Sequence, residues 1–398
     1  MFSKRILALA AFLGVLATAC GGSASPAAGA KSDYVLYFEG DLTGTSASVG
    51  KPILSGFTAY LDYTNKHSGG VKGHKLVLTS LDDGGDPGRV KVNVQQALDG
   101  GALVIVGPSN SNGWSPNAPF IQQSQISTIG VGFTDAQVDQ PNQYLFGVSP
   151  SYASQVQHQI DTISILIKNG TLPAKPRIAL YHYTSVAVST MVNYQKQGFD
   201  KNGWTFTTEQ TFAVGATDVS SQASAVAAAH PDLVLGEVLD ASAPLAVGAL
   251  RQKGFNGLFL NFSPGSSPAT FAALKDPNYL GQVNYLSMKW TDQPGISDIV
   301  KRAQEVGDTD SIEAGQWPFG WAIGAAVTSA LSKCAVDPCT RAKFNDALIN
   351  VGKVDANGVS NDLGFTPQNH RLSRSGVYYH WDTSKGKEVP FGSWVPLT

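Results

Sequence analysis

Cysteine is scarce in this chain: Cys20, Cys334 and Cys339 are the only three among 398 residues. Two cysteines with no nearby histidine do not make a metal centre, so Cys334 and Cys339 in Cys-Ala-Val-Asp-Pro-Cys read as a small-loop disulfide clipping a turn between two helices. An excess of either charge is also missing, with 28 Lys and Arg against 30 Asp and Glu. No basic stripe and no aromatic-interleaved basic run occurs, which excludes nucleic acid as a partner. The N-terminal apolar stretch, Ile6 to Leu16, is too short to span a bilayer.

Catalytic signatures are missing as well. There is no nucleophile elbow, no P-loop and no zinc-ligand spacing. Gly130-Val-Gly-Phe-Thr-Asp135 has two glycines of a dinucleotide fingerprint but Asp where the third belongs, so no cofactor is expected. His67 and His74 flank a Ser-Gly-Gly-Val-Lys-Gly turn and are expected to be solvated. Asp82, Asp83 and Asp86 lack EF-hand spacing, so helix capping and solvation are expected, with no metal site. The chain is therefore not expected to be an enzyme.

What is present is a large apolar fraction, 42% of residues, with 42 Gly and 21 Pro spread along the chain at many strand–loop–helix corners. The length predicts two lobes. Short apolar runs alternate with helical periodicity: Tyr34 to Phe38, a helix from about Gly50 to Lys66, Lys75 to Leu81, Leu103 to Val106, and Ile126 to Val131. Near Ser149 the pattern restarts with a helix from Tyr152, and strands follow at Arg177, Trp204, Asp232 and Leu258. The predicted class is α/β, with two Rossmann-like lobes of parallel-rich sheet joined by a hinge crossed near 148, 280 and 365. Lobe 1 is expected at 33–147 plus 277–362, and lobe 2 at 148–276 plus 363–398.

The loop after Leu103 to Val106 carries Ser109, Asn110, Ser111 and Asn112, and a helix begins at Trp114. A helix N-terminus facing such a loop suits a small polar or anionic ligand. Hydroxyls and amides without an evident general base suit binding rather than turnover. The one loop histidine, His182, falls on the opposite lobe from Ser111 and Thr134, so no nucleophile–base pair is expected. A ligand-sensing module that signals to a membrane partner remains the alternative.

The N-terminus has a basic start at Lys4 and Arg5, the apolar stretch, then Ala17-Thr-Ala-Cys20. It resembles the lipobox of bacterial lipoproteins. That implies a signal peptide over 1–19, lipidation of Cys20, a flexible tether over 20–32 and a place on the extracytoplasmic face of the cell membrane.

Five motifs in order, Asp41-Leu-Thr-Gly, Ser68-Gly-Gly-Val-Lys-Gly-His-Lys-Leu, Asp82-Asp-Gly-Gly-Asp-Pro, Val106-Gly-Pro-Ser-Asn-Ser and Leu250-Arg-Gln-Lys-Gly-Phe, resemble the substrate-binding proteins of branched-chain amino acid ABC transporters. The resemblance implies the type I periplasmic-binding fold, a monomer that hands solute to a permease and its ATPase subunits. It implies a ligand carboxylate on Ser111 and Thr134, with backbone from Gly132. The position that usually holds an ammonium-binding Glu is Ser263 here, a usual Tyr is Ala187, and a first-lobe aromatic is Val49. A buried ammonium needs a carboxylate partner, which leaves Glu237 or Asp240 to supply it. Tyr181, Tyr183 and Phe262 are candidates to line an apolar ligand, and Trp317 and Phe319 the cleft rim.

Overall fold

The computed structural model describes residues 31–132, 138, 142–309 and 311–397, and only the backbone of 186 and 187. The leader, Cys20, Thr134 and the side chain of Ala187 lie outside the described residues. Among the described residues, no helix is long and apolar enough to cross a membrane.

The first lobe is built on a five-stranded parallel sheet of order β2-β1-β3-β4-β5. Its strands are β1 (Tyr34–Gly40), β2 (Leu76–Asp82), β3 (Val104–Val106), β4 (Thr128–Gly130) and β5 (Leu145–Gly147). Val104, Ile105 and Val106 are fully buried, as the continuous apolar run requires of a parallel strand covered on both faces. Helix α1 (Ala47–Ser68) follows β1, α2 (Pro87–Asp99) follows β2, and α3 (Ser111–Gln123) follows β3.

The second lobe holds a seven-stranded sheet of order β14-β13-β10-β9-β8-β6-β7. Five strands run parallel, namely β6 (Arg177–Tyr183), β7 (Thr205–Phe212), β8 (Leu233–Glu237), β9 (Leu258–Asn261) and β10 (Tyr279–Val283). β13 (Ser375–Asp382) and β14 (Lys387–Pro396) close one edge antiparallel. Helices α4 (Tyr152–Lys168), α5 (Val186–Asn202), α6 (Ser220–Ala228), α7 (Ala243–Gln252) and α8 (Pro268–Leu274) alternate with the strands.

After β10 the chain returns to the first lobe with α9 (Ile296–Glu305), α10 (Trp317–Lys333) and α11 (Arg341–Ile349). α10 is apolar on nearly every side because it is buried on nearly every side. It lies against α1 at very short range. A Cβ on Gly56 would stand 2.1 Å from Trp317 O, and one on Gly320 would stand 2.0 Å from Ile53 O. The glycines let the two backbones touch, and Tyr60 and Trp321 then meet edge-on at 4.9 Å. Beyond α10, Cys334 and Cys339 form the expected disulfide in the turn before α11.

Three segments pass between the lobes and are laced together. Leu372 N donates to Gly147 O at 2.8 Å, and Ser373 N to Val148 O at 3.1 Å. Asn284 Nδ2 donates to Ser375 O at 2.9 Å, and the Tyr285 hydroxyl donates to Val148 O. The sequence reading puts residues from 277 onward with lobe 1 and the third crossing near 365. β10 instead pairs with β9 and β13 in the second sheet, because its five residues are all buried and find partners on both edges. The third passage comes later than 365, since Gly364–Phe365 forms β12 against β11 (Gly352–Lys353) before the chain reaches Leu372.

Two further expectations are corrected. His74 is 2% exposed rather than solvated, stacked on Tyr34 and bonded through its ring nitrogens to Asp337 Oδ1 and Ser32 O. Asp83 is 1% exposed rather than solvated, although Asp86 does cap α2 through Gly88 N at 2.8 Å. His67 stays exposed, beside Glu305 at 2.9 Å.

Candidate functional site

In each sheet the strand order reverses at one place. In the first it lies between β1 and β3, and in the second between β6 and β8. Loops at the C-terminal ends of such strands splay apart and leave a crevice. The two crevices face each other and enclose a cavity of about 90 Å³. Thr45 and Ser46 line it from the loop after β1, and Ser109 to Asn112 from the loop after β3. Opposite them stand Tyr183 and Ser185 at the end of β6, and Leu239 after β8.

The first-lobe wall is a helix N-terminus. Asn110 caps α3 by accepting from Gly113 N at 2.9 Å, so its side chain is committed to the helix. Ser109 Oγ accepts from Asp41 N at 2.9 Å, which ties the loops after β1 and β3 together. Ser111 opens α3, and its buried Oγ lies beside the Tyr152 hydroxyl on the opposite wall. α3 is held in place by Trp114, fully buried, whose ring fills the space above Gly130. Asn112 reaches across the cleft, accepting from Ser185 Oγ at 3.2 Å, so the two lobes are in contact.

The second-lobe wall is aromatic and apolar. Tyr152, the first residue of α4, is fully buried, with Ser111 and Tyr183 beside its hydroxyl. Burial first, then the Tyr183 and Glu237 charges, hold its phenol well above the ordinary range. Tyr183 is raised too, again by burial first and Glu237 next. Glu237, the last residue of β8, is 1% exposed, and neither carboxyl oxygen has a partner. Burial alone pushes its carboxyl well above the ordinary value of 4.5, which favours the uncharged acid.

Asp240 is used differently. Its Oδ1 accepts from Ser267 N at 2.9 Å and Thr270 Oγ1 at 2.8 Å, and Gln316 Nε2 stands 3.4 Å from Oδ2. Asp240 and Ser263 line a separate space of about 20 Å³ beside the main cavity. Gly132 offers no free carbonyl, since its oxygen accepts from Arg371 Nη1 at 3.1 Å. Tyr181 turns away, packing on Phe212 at 5.1 Å, and Trp317 donates through Nε1 to Asp308 at 2.7 Å. Phe262 stands behind Tyr183, with ring centroids 6.4 Å apart. Val49 and Phe319 do line the cavity. Thr43, in the Asp41-Leu-Thr-Gly motif, donates to Asp82 Oδ2 at 2.6 Å.

Sequence reasoning missed Thr45, Ser46, Val131, Tyr152, Val214 and Gln316 as lining residues. Tyr152 carried a readable signal, as the first residue of the helix after the first crossing. Gln316 carried none, because its place depends on how the second crossing folds back. His182 bonds to Glu209 Oε1 at 3.2 Å, and Glu209 to Lys196 at 2.6 Å, so it serves that ion pair rather than Ser111. The site offers a helix N-terminus, the Ser111 hydroxyl and an aromatic, apolar wall with the Glu237 carboxyl near its tyrosines, which is equipment for binding.

Residues 38–387 match the family model described as periplasmic binding protein. No curated protein sequence matches. The fold is that of a branched-chain amino acid ABC transporter structure from Thermus thermophilus with bound valine, 17% identical over 92% of this chain and 97% of that one, at a TM-score of 0.82. It is also that of a fatty acid ABC transporter substrate-binding protein from Thermomonospora curvata, 20% identical over 92% of each chain, at 0.75. A type 1 periplasmic binding protein from Bordetella pertussis Tohama I is 15% identical over 90% of this chain and all of the other, at 0.74. The chain belongs to the periplasmic binding protein family, with the type I fold in two α/β lobes.

Proposed function

We propose that the chain is an extracytoplasmic solute-binding lipoprotein, anchored through Cys20, that carries a small organic solute to an ABC permease. The observation that supports this best is the cavity at the two facing switch points, with the Ser111 hydroxyl on one wall and the Tyr152 and Tyr183 rings on the other. Ser111 and the N-terminus of α3 take a carboxylate or carbonyl head group, because backbone N–H groups and the helix dipole favour negative charge there. Thr134 is the proposed partner of Ser111, on the resemblance alone. Tyr183, Leu239, Val214 and Phe319 pack a short apolar body. A space of about 90 Å³ suits a small solute. The structure with bound valine points to the same size class.

Glu237 supplies the second-lobe carboxyl that Ser263 does not. Burial raises its carboxyl, and a ligand ammonium brought close to it favours the ionised form. The proposed class is therefore a small hydrophobic amino acid or a related carboxylate or amide.

A thermal-shift screen of the purified protein tests this, using aliphatic amino acids, aromatic acids, amides and short fatty acids. A stabilising shift is expected from the first of these groups or its close analogues. No shift from any small carboxylate or amide rejects the reading. For the anchor, Cys20→Ser is expected to move the protein out of the membrane fraction, and continued retention there contradicts lipidation.

A further inference from the structure

A second cavity opens on the second lobe, between α4 and the edge strand β14, and shares no lining residue with the solute cleft. Its volume is about 450 Å³, which is in the range of small-molecule sites. The shape of β14 makes room for it. Gly376 pairs with Val395 and Tyr378 with Phe391, so one residue of β13 faces three of β14, Gly392 to Trp394. Gly392 takes a φ of 88°, open to glycine at no steric cost, and the bulge bends the strand. Gly392 and Ser393 of that bulge line the cavity.

The other wall is one face of α4. His158, Asp161, Thr162 and Ile165 recur at helical spacing and all line the cavity. Ile165 is 57% exposed although apolar, and Phe391, Val395 and Leu397 supply apolar surface from β14 and the residue after it. Asp161 is exposed, and its Oδ1 accepts from Gln157 Nε2 at 2.8 Å. Among the described residues no Lys or Arg forms an ion pair with it. The nearby His158 does not replace one, because burial first of all lowers its ring to about 4 and favours the neutral form. Tyr378 is 1% exposed, and its ring meets that of His158 at 4.7 Å. Its hydroxyl is buried with no partner in the protein, and groups of that kind are normally met by water or a ligand.

A carboxylate without a cation, beside an apolar groove, is complementary to a positive charge that carries an apolar body. We propose that this cavity is a second binding site, for a small organic cation built as a primary amine on a short apolar chain. The ammonium pairs with Asp161, and the chain lies along Ile165, Phe391 and Leu397.

The test uses the whole protein with hexylamine, hexanol and hexanoate as probes, read by calorimetry and by hydrogen exchange. Millimolar hexylamine is expected to protect residues 154–165 and 391–397 from exchange, with hexanol and hexanoate at least tenfold weaker there. Asp161→Asn is expected to melt near the wild type, since the side chain is exposed, and to lose at least tenfold in hexylamine affinity. Ile165→Lys places a tethered ammonium four residues from Asp161 and is expected to abolish binding. No protection of these segments by hexylamine overturns the proposal, and so does protection confined to the loops of the solute cleft. Equal protection there by hexanol or hexanoate overturns the cationic assignment, as does wild-type hexylamine affinity in both variants.

Discussion

Ser111→Ala lowers affinity for the solute roughly ten- to a hundredfold, because a hydrogen bond to a charged head group contributes about 1.5–3 kcal/mol. The same change leaves the melting temperature of the empty protein nearly unmoved. Its hydroxyl faces only the Tyr152 hydroxyl across the cleft, so alanine forfeits at most one neutral contact and leaves the packing of α3 intact. Calorimetry with the best solute of the screen reads the first effect and a melting curve the second. Wild-type affinity in Ser111→Ala, or a large fall in stability, removes Ser111 from the head-group role.

Gly320→Val has the largest expected effect on stability. A Cβ there would meet Ile53 O at 2.0 Å and Phe57 N at 2.5 Å, both backbone atoms of α1. No rotamer relieves a clash with backbone, so α1 and α10 must separate and open the core around Trp317 and Trp321, both fully buried. The cost is about 3 kcal/mol or more, at the upper end of overpacking. A fall of roughly 6–12 °C in melting temperature follows for domains of this size. Gly248→Ala on α7 is the control: nothing lies within 4 Å of its added Cβ, so a neutral or slightly raised melting temperature is expected. A Gly320→Val protein melting within about 2 °C of wild type contradicts the packing described here.

The architecture was legible in the sequence because its signals are local. Buried parallel strands show as unbroken apolar runs such as Leu103 to Val106, and the helices between them show as periodic faces such as Ile53, Phe57 and Leu61. The first-lobe wall was legible for the same reason, since Ser109 to Asn112 are consecutive at a strand end. The second-lobe wall was less so. It gathers Tyr152, Tyr183, Val214, Leu239 and Pro264 from five separate segments, and a linear sequence does not show which of them meet. Glu237 and Asp240 looked equivalent in sequence, three residues apart. Only the fold separates them, by giving Asp240 the donors of Ser267 and Thr270 and giving Glu237 none. The burial of Asp83 was misjudged because its neighbour Glu39 arrives from the adjacent strand, where Glu39 pairs with Leu81 in the β1–β2 register.

The central claim is that the solute sits between the lobes, its head on Ser111 and its body against Tyr183 and Leu239. A crystal structure of the protein with the best solute of the screen tests it most directly. The account predicts the carboxylate or carbonyl oxygen within hydrogen-bond distance of Ser111 Oγ and the apolar part against the Tyr183 ring. A solute bound elsewhere, with the space between Ser111 and Tyr183 left empty, contradicts it.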